Sequence, residues 1–389
     1  MKSDYKKNVI FGAGIYGIKA LKKYGEENVA CFIDNSLSKH GTYINGKVVK
    51  NLGDILPDIE KYHIIIATNY YSDIEKQLNE LGIYDYEVFE NNVLHGYYET
   101  DELIVNLYDN ISEAQTEEEW SAQEKLAYSR CAVNEETEKL FNSQPMFNHI
   151  EIETLNRCNG SCSFCPVNKN VDPREKAIMS NALFEHIVKQ LAELNYSGRF
   201  TTFSNNEPLL DDRIIEFNRY ARKMLPNARM HLFTNGTLMT MDKFIALSEV
   251  LDELIIDNYQ QDLRLIKPCV EIEQYCREHP ELKKKVTIVL RKPFEILTTR
   301  GGTAPNRKTL VEYGDDRCVL PFKQMIVRPD GKVSLCCNDA VGKYTLGDAS
   351  KESLLDIWNG PRFEMVRKCL YKGRKEWGNC RFCDAFSMG

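Results

Sequence analysis

Three cysteines within eight residues, Cys158-Asn-Gly-Ser-Cys162-Ser-Phe-Cys165, follow directly on an apolar strand candidate, Ile150–Leu155. Spacing this close lets one loop wrap a single metal centre, and the loop holds no fourth ligand of the kind a zinc knuckle takes. The chain has thirteen cysteines in all. Its N-terminus, MKSDYKKNVIFGAG, leads into a strand without a signal-peptide apolar core. No apolar run approaches the roughly 18–20 residues of a membrane span. A cytoplasmic protein is therefore expected, where disulfides are rare and clustered thiols point to metal or cluster ligation. The scattered Cys31, Cys131, Cys269 and Cys276 read instead as small buried hydrophobes.

A second set, Cys318-x17-Cys336-x43-Cys380-x2-Cys383, lies towards the C-terminus. Four thiolates suit a closed iron–sulfur cluster, with structural zinc as the rival. Three thiolates, as in the first loop, would leave one iron of a four-iron cluster open to a reactant. Cys337 sits beside Cys336, so spacing alone leaves either as the ligand, and Cys369 falls on an amphipathic stretch.

The 389 residues imply two or three domains, and strand–helix alternation divides them. Asn8–Phe11, Val29–Ile33, His63–Ala67 and Tyr86–Phe89 alternate with helical stretches over residues 1–92, the pattern of a Rossmann-like doubly wound parallel sheet. Gly12, Gly14 and Gly17 lie where the first strand turns into a helix. There they permit close phosphate approach, with Asp34 suited to a ribose hydroxyl. The same glycines would also serve a turn with no ligand. Residues 93–147, with Thr116-Glu-Glu-Glu-Trp120, read as a helical linker. Over 148–305 six strand candidates alternate with helices, from Ile150–Leu155 and Arg199–Ser204 to Val286–Arg291 and Ile296–Thr299. Six such units predict a partial (β/α)6 barrel with its chemistry at the C-terminal strand ends. Pro329-Asp330-Gly331 marks a hairpin within the small cysteine-rich segment 306–389.

The first loop, with Phe164 before its last cysteine, resembles the signature of the radical S-adenosylmethionine superfamily. The resemblance implies a [4Fe-4S] cluster on Cys158, Cys162 and Cys165 whose open iron chelates S-adenosylmethionine, and a 5′-deoxyadenosyl radical that takes hydrogen from substrate. Later strand ends carry similar family elements: Ser204-Asn205-Asn206-Glu207-Pro208 in place of two glycines before Glu-Pro, Thr234-Asn235-Gly236, and Asp257-Asn258. Glu207 would meet the methionine ammonium and Asp257 or Asn258 the ribose. Arg291, at the end of the fifth strand, suits the methionine carboxylate or the substrate. The C-terminal segment resembles SPASM and twitch domains, which implies an auxiliary [4Fe-4S] cluster on Cys318, Cys336, Cys380 and Cys383. Its spacing is close to that of alcohol oxidases of the 2-deoxy-scyllo-inosamine dehydrogenase type, and by position Arg300 would be the arginine that handles substrate there.

The resemblance implies an enzyme that oxidises or epimerises a sugar, cyclitol or nucleotide-linked sugar, with a flavodoxin or ferredoxin as electron donor. A peptide maturase and a non-catalytic iron–sulfur or zinc scaffold are the alternatives. A formal charge of −7 with no basic block argues against nucleic acid, and no membrane partner is expected.

Overall fold

A computed structural model describes residues 6–68, 71–89, 103–106, 130–294, 297–307 and 313–386, which fall into two compact units, Met1–Thr100 and Asp101–Gly389. Much of the expected helical linker, and Ile296 of the sixth strand candidate, lie outside the described residues.

In the first unit β1 (Lys7–Phe11), α1 (Ile15–Tyr24), β2 (Val29–Ile33), β3 (Tyr43–Ile44), β4 (Lys47–Lys50), β5 (Tyr62–Ile66), α2 (Tyr71–Glu80) and β6 (Tyr86–Val88) build a sheet of order β3-β4-β2-β1-β5-β6. All neighbours run parallel except the β3/β4 hairpin, a local pairing that strand–helix counting does not foresee. Ile10, Ile65 and Phe32 fill one face of the sheet and Val9, Ile64 and Ile33 the other, which is why these strands read as continuous apolar runs. Two glycines make the turn into α1 possible. Gly12 has φ +121°, and a side chain at Gly17 would begin 2.0 Å from the Gly12 carbonyl oxygen.

The second unit is built on one nine-stranded sheet. Its strands are β7 (Ile104–Asn106), β8 (His149–Ile152), β9 (Arg199–Thr201), β10 (Arg229–Thr234), β11 (Glu253–Tyr259), β12 (Val286–Arg291), β13 (Gln324–Val327), β14 (Lys332–Ser334) and β15 (Thr345–Asp348). The order is β15-β14-β13-β8-β9-β10-β11-β12-β7, parallel from β13 to β7. Five of the six expected strands form β8 to β12. Residues 297–299 form no strand, and the place beside β12 goes to β7, from the segment read as a linker. Residues 130–143 are helical (α3). Helices α4 (Asn181–Glu193), α5 (Ile214–Met224), α6 (Met241–Val250) and α7 (Lys267–Glu278) connect the strands, followed by α8 (Leu354–Trp358) and α9 (Pro361–Lys372). The amphipathic stretch that carries Cys369 is α9, separated from α8 at Asn359-Gly360, where a Cβ on the glycine would come 2.7 Å from the Asp356 carbonyl oxygen.

Alternation along β8 sorts the barrel into two environments. Ile150 and Ile152 join Phe200, Met230, Leu232, Leu254 and Ile256 in the core under α4 to α7. His149 and Glu151 take the opposite face, in register with Arg199 and Thr201 of β9 and with Gln324 and Ile326 of β13. That face is polar and buried: His149, Glu151, His231, Glu253 and Gln324 are all less than 9% exposed.

Candidate functional site

The cysteine loop leaves the C-terminal end of β8 and folds under the ends of β10 and β11. Cys158 Sγ and Cys162 Sγ both crowd Gly160, where a Cβ would stand 3.3 and 3.9 Å from them. The Gly160 amide donates to Cys158 Sγ. Burial pushes the Cys158 and Cys162 thiols up to about 12, and neighbouring thiols add to it. Desolvated thiols gathered in this way favour their thiolate form only beside a compensating cation, which is what iron provides. A centre held by Cys158, Cys162 and Cys165 therefore fits the residues present. Among the described residues no three His, Cys, Asp or Glu side chains converge on a single ion position.

Strand ends close around this loop. Glu207 is 2% exposed, and its carboxylate accepts from Thr234 Oγ1 (2.6 Å), the Asn235 amide (2.8 Å) and the Leu209 amide (3.1 Å). Burial raises its pKa. Its oxygens therefore join the second and third strand ends. Asn235 Nδ2 donates to Asn159 Oδ1 inside the cysteine loop at 2.8 Å. The Asp257 charge reaches both Cys162 and Glu207. Asn206 accepts from the Ser204 amide, and its buried Nδ2 has no hydrogen-bond partner among the described residues, a donor suited to a bound cofactor. The Phe164 ring lies 6.0 Å from that of Tyr259, which pairs in register with Arg291. Asn258 is not brought into this group. It is fully buried on the other side of β11, donating to the Arg264 carbonyl and accepting from the Ile266 amide.

Asn205 stands between two segments that sequence spacing cannot connect. Its Oδ1 accepts from Arg300 Nη2 at 2.6 Å, and its Nδ2 donates to the Cys337 carbonyl at 3.2 Å. Its own carbonyl accepts from Arg174, which also pairs with Glu153 and Asp172 at 2.9 Å each. Sequence reasoning missed Arg174, which carries no motif. Arg300 has a left-handed backbone (φ +49°), held because the preceding Thr299 is fully buried and bonds Asp384 and the Phe382 carbonyl. The turn that carries Arg300 is thus pinned to the tail on both sides of Cys383.

The second set of thiols lines one small cavity, bounded by Cys318, Cys336, Cys380, Cys383 and apolar side chains with Arg374 and Asn338. Cys337 and Cys369 do not line it. Arg374 is 1% exposed and spends its guanidinium on the carbonyls of Arg317, Cys383 and Ala385. A buried cation beside four thiols suits an anionic iron–sulfur cluster. Burial, reinforced by the other thiols, raises the Cys336 and Cys380 pKa values. Burial raises the Cys337 thiol to about 12, and it feels the charges of Glu151 and Arg300 as well as those of Cys383 and Cys318.

In the first unit, the Asp34 carboxylate accepts from the Ala13 amide (2.8 Å) and the Ser36 amide (2.8 Å) and pairs with Lys39 (3.1 Å). The space beside Gly14 is open: a Cβ there would meet nothing within 4 Å.

Comparisons with known proteins agree with this layout. Residues 152–258 match the radical SAM superfamily, residues 318–384 the SPASM iron–sulfur cluster-binding domain, and residues 4–89 the C2185-like N-terminal family. The chain is 25% identical over 245 residues to the S-adenosyl-L-methionine-dependent 2-deoxy-scyllo-inosamine dehydrogenase of Niallia circulans, covering 62% of this chain and 95% of that protein. It is similar in structure to BtrN in complex with AdoMet and 2-DOIA, at a TM-score of 0.54 and 26% identity over 62% of this chain and 94% of that one. Among the described residues no helix is long and apolar enough to cross a membrane.

Proposed function

We infer that this chain, a radical S-adenosylmethionine enzyme that ends in a SPASM iron–sulfur domain, oxidises a secondary alcohol of a cyclitol, sugar or nucleotide-linked sugar to a ketone. One observation carries the reading: Arg300 is held between Asn205, at the cofactor end of the barrel, and the tail that carries Cys383. An oxygen beside Arg300 would lie between the two thiol sets, as an oxidation needs. The dehydrogenase relative aligns with 62% of this chain over 95% of its own length.

When bound, the first cluster with S-adenosylmethionine supplies a radical able to take a hydrogen atom, and the auxiliary cluster supplies an acceptor for the remaining electron. Cys158, Cys162 and Cys165 would hold the first cluster, and Cys318, Cys336, Cys380 and Cys383 the second. Asn206 offers a donor to the cofactor, while Glu207, Asn235 and Asp257 shape its bed. Phe164 flanks the cysteine loop, and Arg291 would meet a carboxylate. Arg300 would hold the substrate hydroxyl. A flavodoxin or ferredoxin in the cytoplasm would supply the reducing electron.

Lysine keeps the charge at position 300 but not the planar fork. Arg300→Lys is expected to slow ketone formation about 10–100-fold while S-adenosylmethionine cleavage changes only a few-fold. Equal losses in both would remove the arginine from substrate handling.

A thiol favours a second reading. Epimerisation needs a hydrogen donor, and although Cys269 and Cys276 are fully buried on α7, Cys337 shares the neighbourhood of Arg300. Mass spectrometry of the product formed from 2-deoxy-scyllo-inosamine in deuterated water separates the two. A ketone without carbon-bound solvent deuterium is expected, and an unoxidised product carrying one such deuterium would establish epimerisation.

Residues 1–92 are proposed to bind a nucleotide-type group at Gly12, Gly14 and Gly17, with Asp34 released to a ribose. Calorimetry of the full-length protein with nucleotide sugars is expected to show binding that Gly14→Val weakens about tenfold or more. Flat titrations would reduce the segment to a structural role.

A further inference from the structure

We propose that Glu151 is the base that takes the hydroxyl proton of the substrate, a role that rests on the alcohol-oxidising reading. Oxidation of a carbinol must dispose of three particles. The carbon loses a hydrogen atom to the 5′-deoxyadenosyl radical, the electron left behind goes to the auxiliary iron–sulfur cluster as one-electron acceptor, and the oxygen loses a proton as the C=O bond forms. Arg300 can hold that oxygen but cannot take the proton, because a guanidinium stays protonated in proteins.

Three other acid–base groups near the barrel mouth are committed elsewhere or not receptive. Both oxygens of Glu207 are spent on Thr234, Asn235 and Leu209. Glu153 is locked to Arg174 at 2.9 Å. His149 is held by burial at about 3, so its imidazole does not accept a proton near neutrality.

Glu151 differs in placement. It sits on the polar face of β8 opposite the helix-covered core, 7% exposed, beside Ser204 and within reach of the Arg300 charge. Ser204 Oγ accepts from Asn205 Nδ2, and Asn205 Oδ1 accepts from Arg300, so the side chains beside Glu151 tie directly to the guanidinium. The groups facing Glu151 are His149 on its own strand (Nε2 3.7 Å from Oε1, too long for a hydrogen bond), Arg199 on β9, Ser204, Arg300, and the Cys337 thiol from the C-terminal domain. Burial raises the Glu151 carboxyl to about 7, opposed by Ser204 and the two arginines. A base poised there is ionised and receptive at neutral pH and protonated below it, so oxidation should fall as pH drops through about 7.

The test compares wild type, Glu151→Gln and Glu151→Asp on 2-deoxy-scyllo-inosamine deuterated at the oxidised carbon. Glu151→Gln should lower ketone formation by about 10²–10⁴-fold, the range for a lost general base. Deuterium should still enter 5′-deoxyadenosine at a rate within about fivefold of wild type. The acid limb of the wild-type pH profile should vanish in the variant. Iron content should be unchanged, and the variant should melt no lower at pH 8, since it removes a carboxylate that the fold disfavours in ionised form. If the glutamine variant does not fold, Glu151→Asp should show the same split between ketone loss and retained deuterium transfer. Ketone formation at wild-type rates, a persistent acid limb, or parallel loss of deuterium transfer and ketone would each overturn the assignment while leaving the dehydrogenase reading intact. A wild-type enzyme that makes no ketone would overturn the dehydrogenase reading and this inference with it.

Discussion

Replacing Cys158, Cys162 and Cys165 together with alanine is expected to abolish S-adenosylmethionine cleavage and to remove about half of the bound iron. The expectation follows from two separate thiol sets. The first lies at the end of β8, around Gly160 and beneath Asn235, while the second lines its own cavity beside Arg374. No side chain named in one set appears in the lining of the other, so emptying one leaves the other's ligands in place. The core under α4 to α7 contains none of the three residues, so the protein should still fold. Anaerobic purification, iron analysis and measurement of 5′-deoxyadenosine under dithionite would check it. Full iron content with continued cleavage would place the reactive cluster elsewhere.

Exchanging the two adjacent cysteines should give the second large effect. Cys336→Ala is expected to lose the auxiliary iron, and Cys337→Ala to keep it. After β14 the chain bends at Leu335 and turns over 336–339, with the Asp339 amide bonded to the Cys336 carbonyl. That turn leaves Cys336 lining the cavity with Cys318, Cys380 and Cys383, and Cys337 outside the lining. Because the free energy of metal ligation is also folding free energy, Cys336→Ala should lower the melting temperature by more than about 5 °C, given roughly 2–4 °C per kcal/mol in domains of this size. Cys337→Ala should change product formation with little change in melting temperature. Iron analysis and a thermal melt on both variants decide it. Retention of auxiliary iron by Cys336→Ala and its loss from Cys337→Ala would reverse the assignment.

Both thiol sets were legible because ligand spacing within one loop is a local property. Cys158-x3-Cys162-x2-Cys165 needs only a strand before it, and β8 provides one. Strands β2 and β12 were legible for a similar reason, since their apolar runs end at polar or turn residues. Other features were illegible because they depend on partners far along the chain. Nothing in Ile104–Asn106 announces that it pairs with Ile288–Leu290. Gln324–Val327 is readable as one arm of a hairpin, but its second, parallel partnership with β8 is not. Asp257 and Asn258 are neighbours in sequence, yet strand alternation sends one towards the cysteine loop and the other into the 264–266 turn.

The sequence by itself determined the two cysteine spacings and the order of strands β8 to β12, because each is written in spacing or period over a few residues. Tertiary structure alone decided that Asn205 joins Arg300 to Cys337, and that Cys336 rather than Cys337 lines the cavity. Those contacts span 95 residues from Asn205 to Arg300 and 132 from Asn205 to Cys337. They exist only once parallel strand pairing has built the sheet and drawn the C-terminal domain against β8.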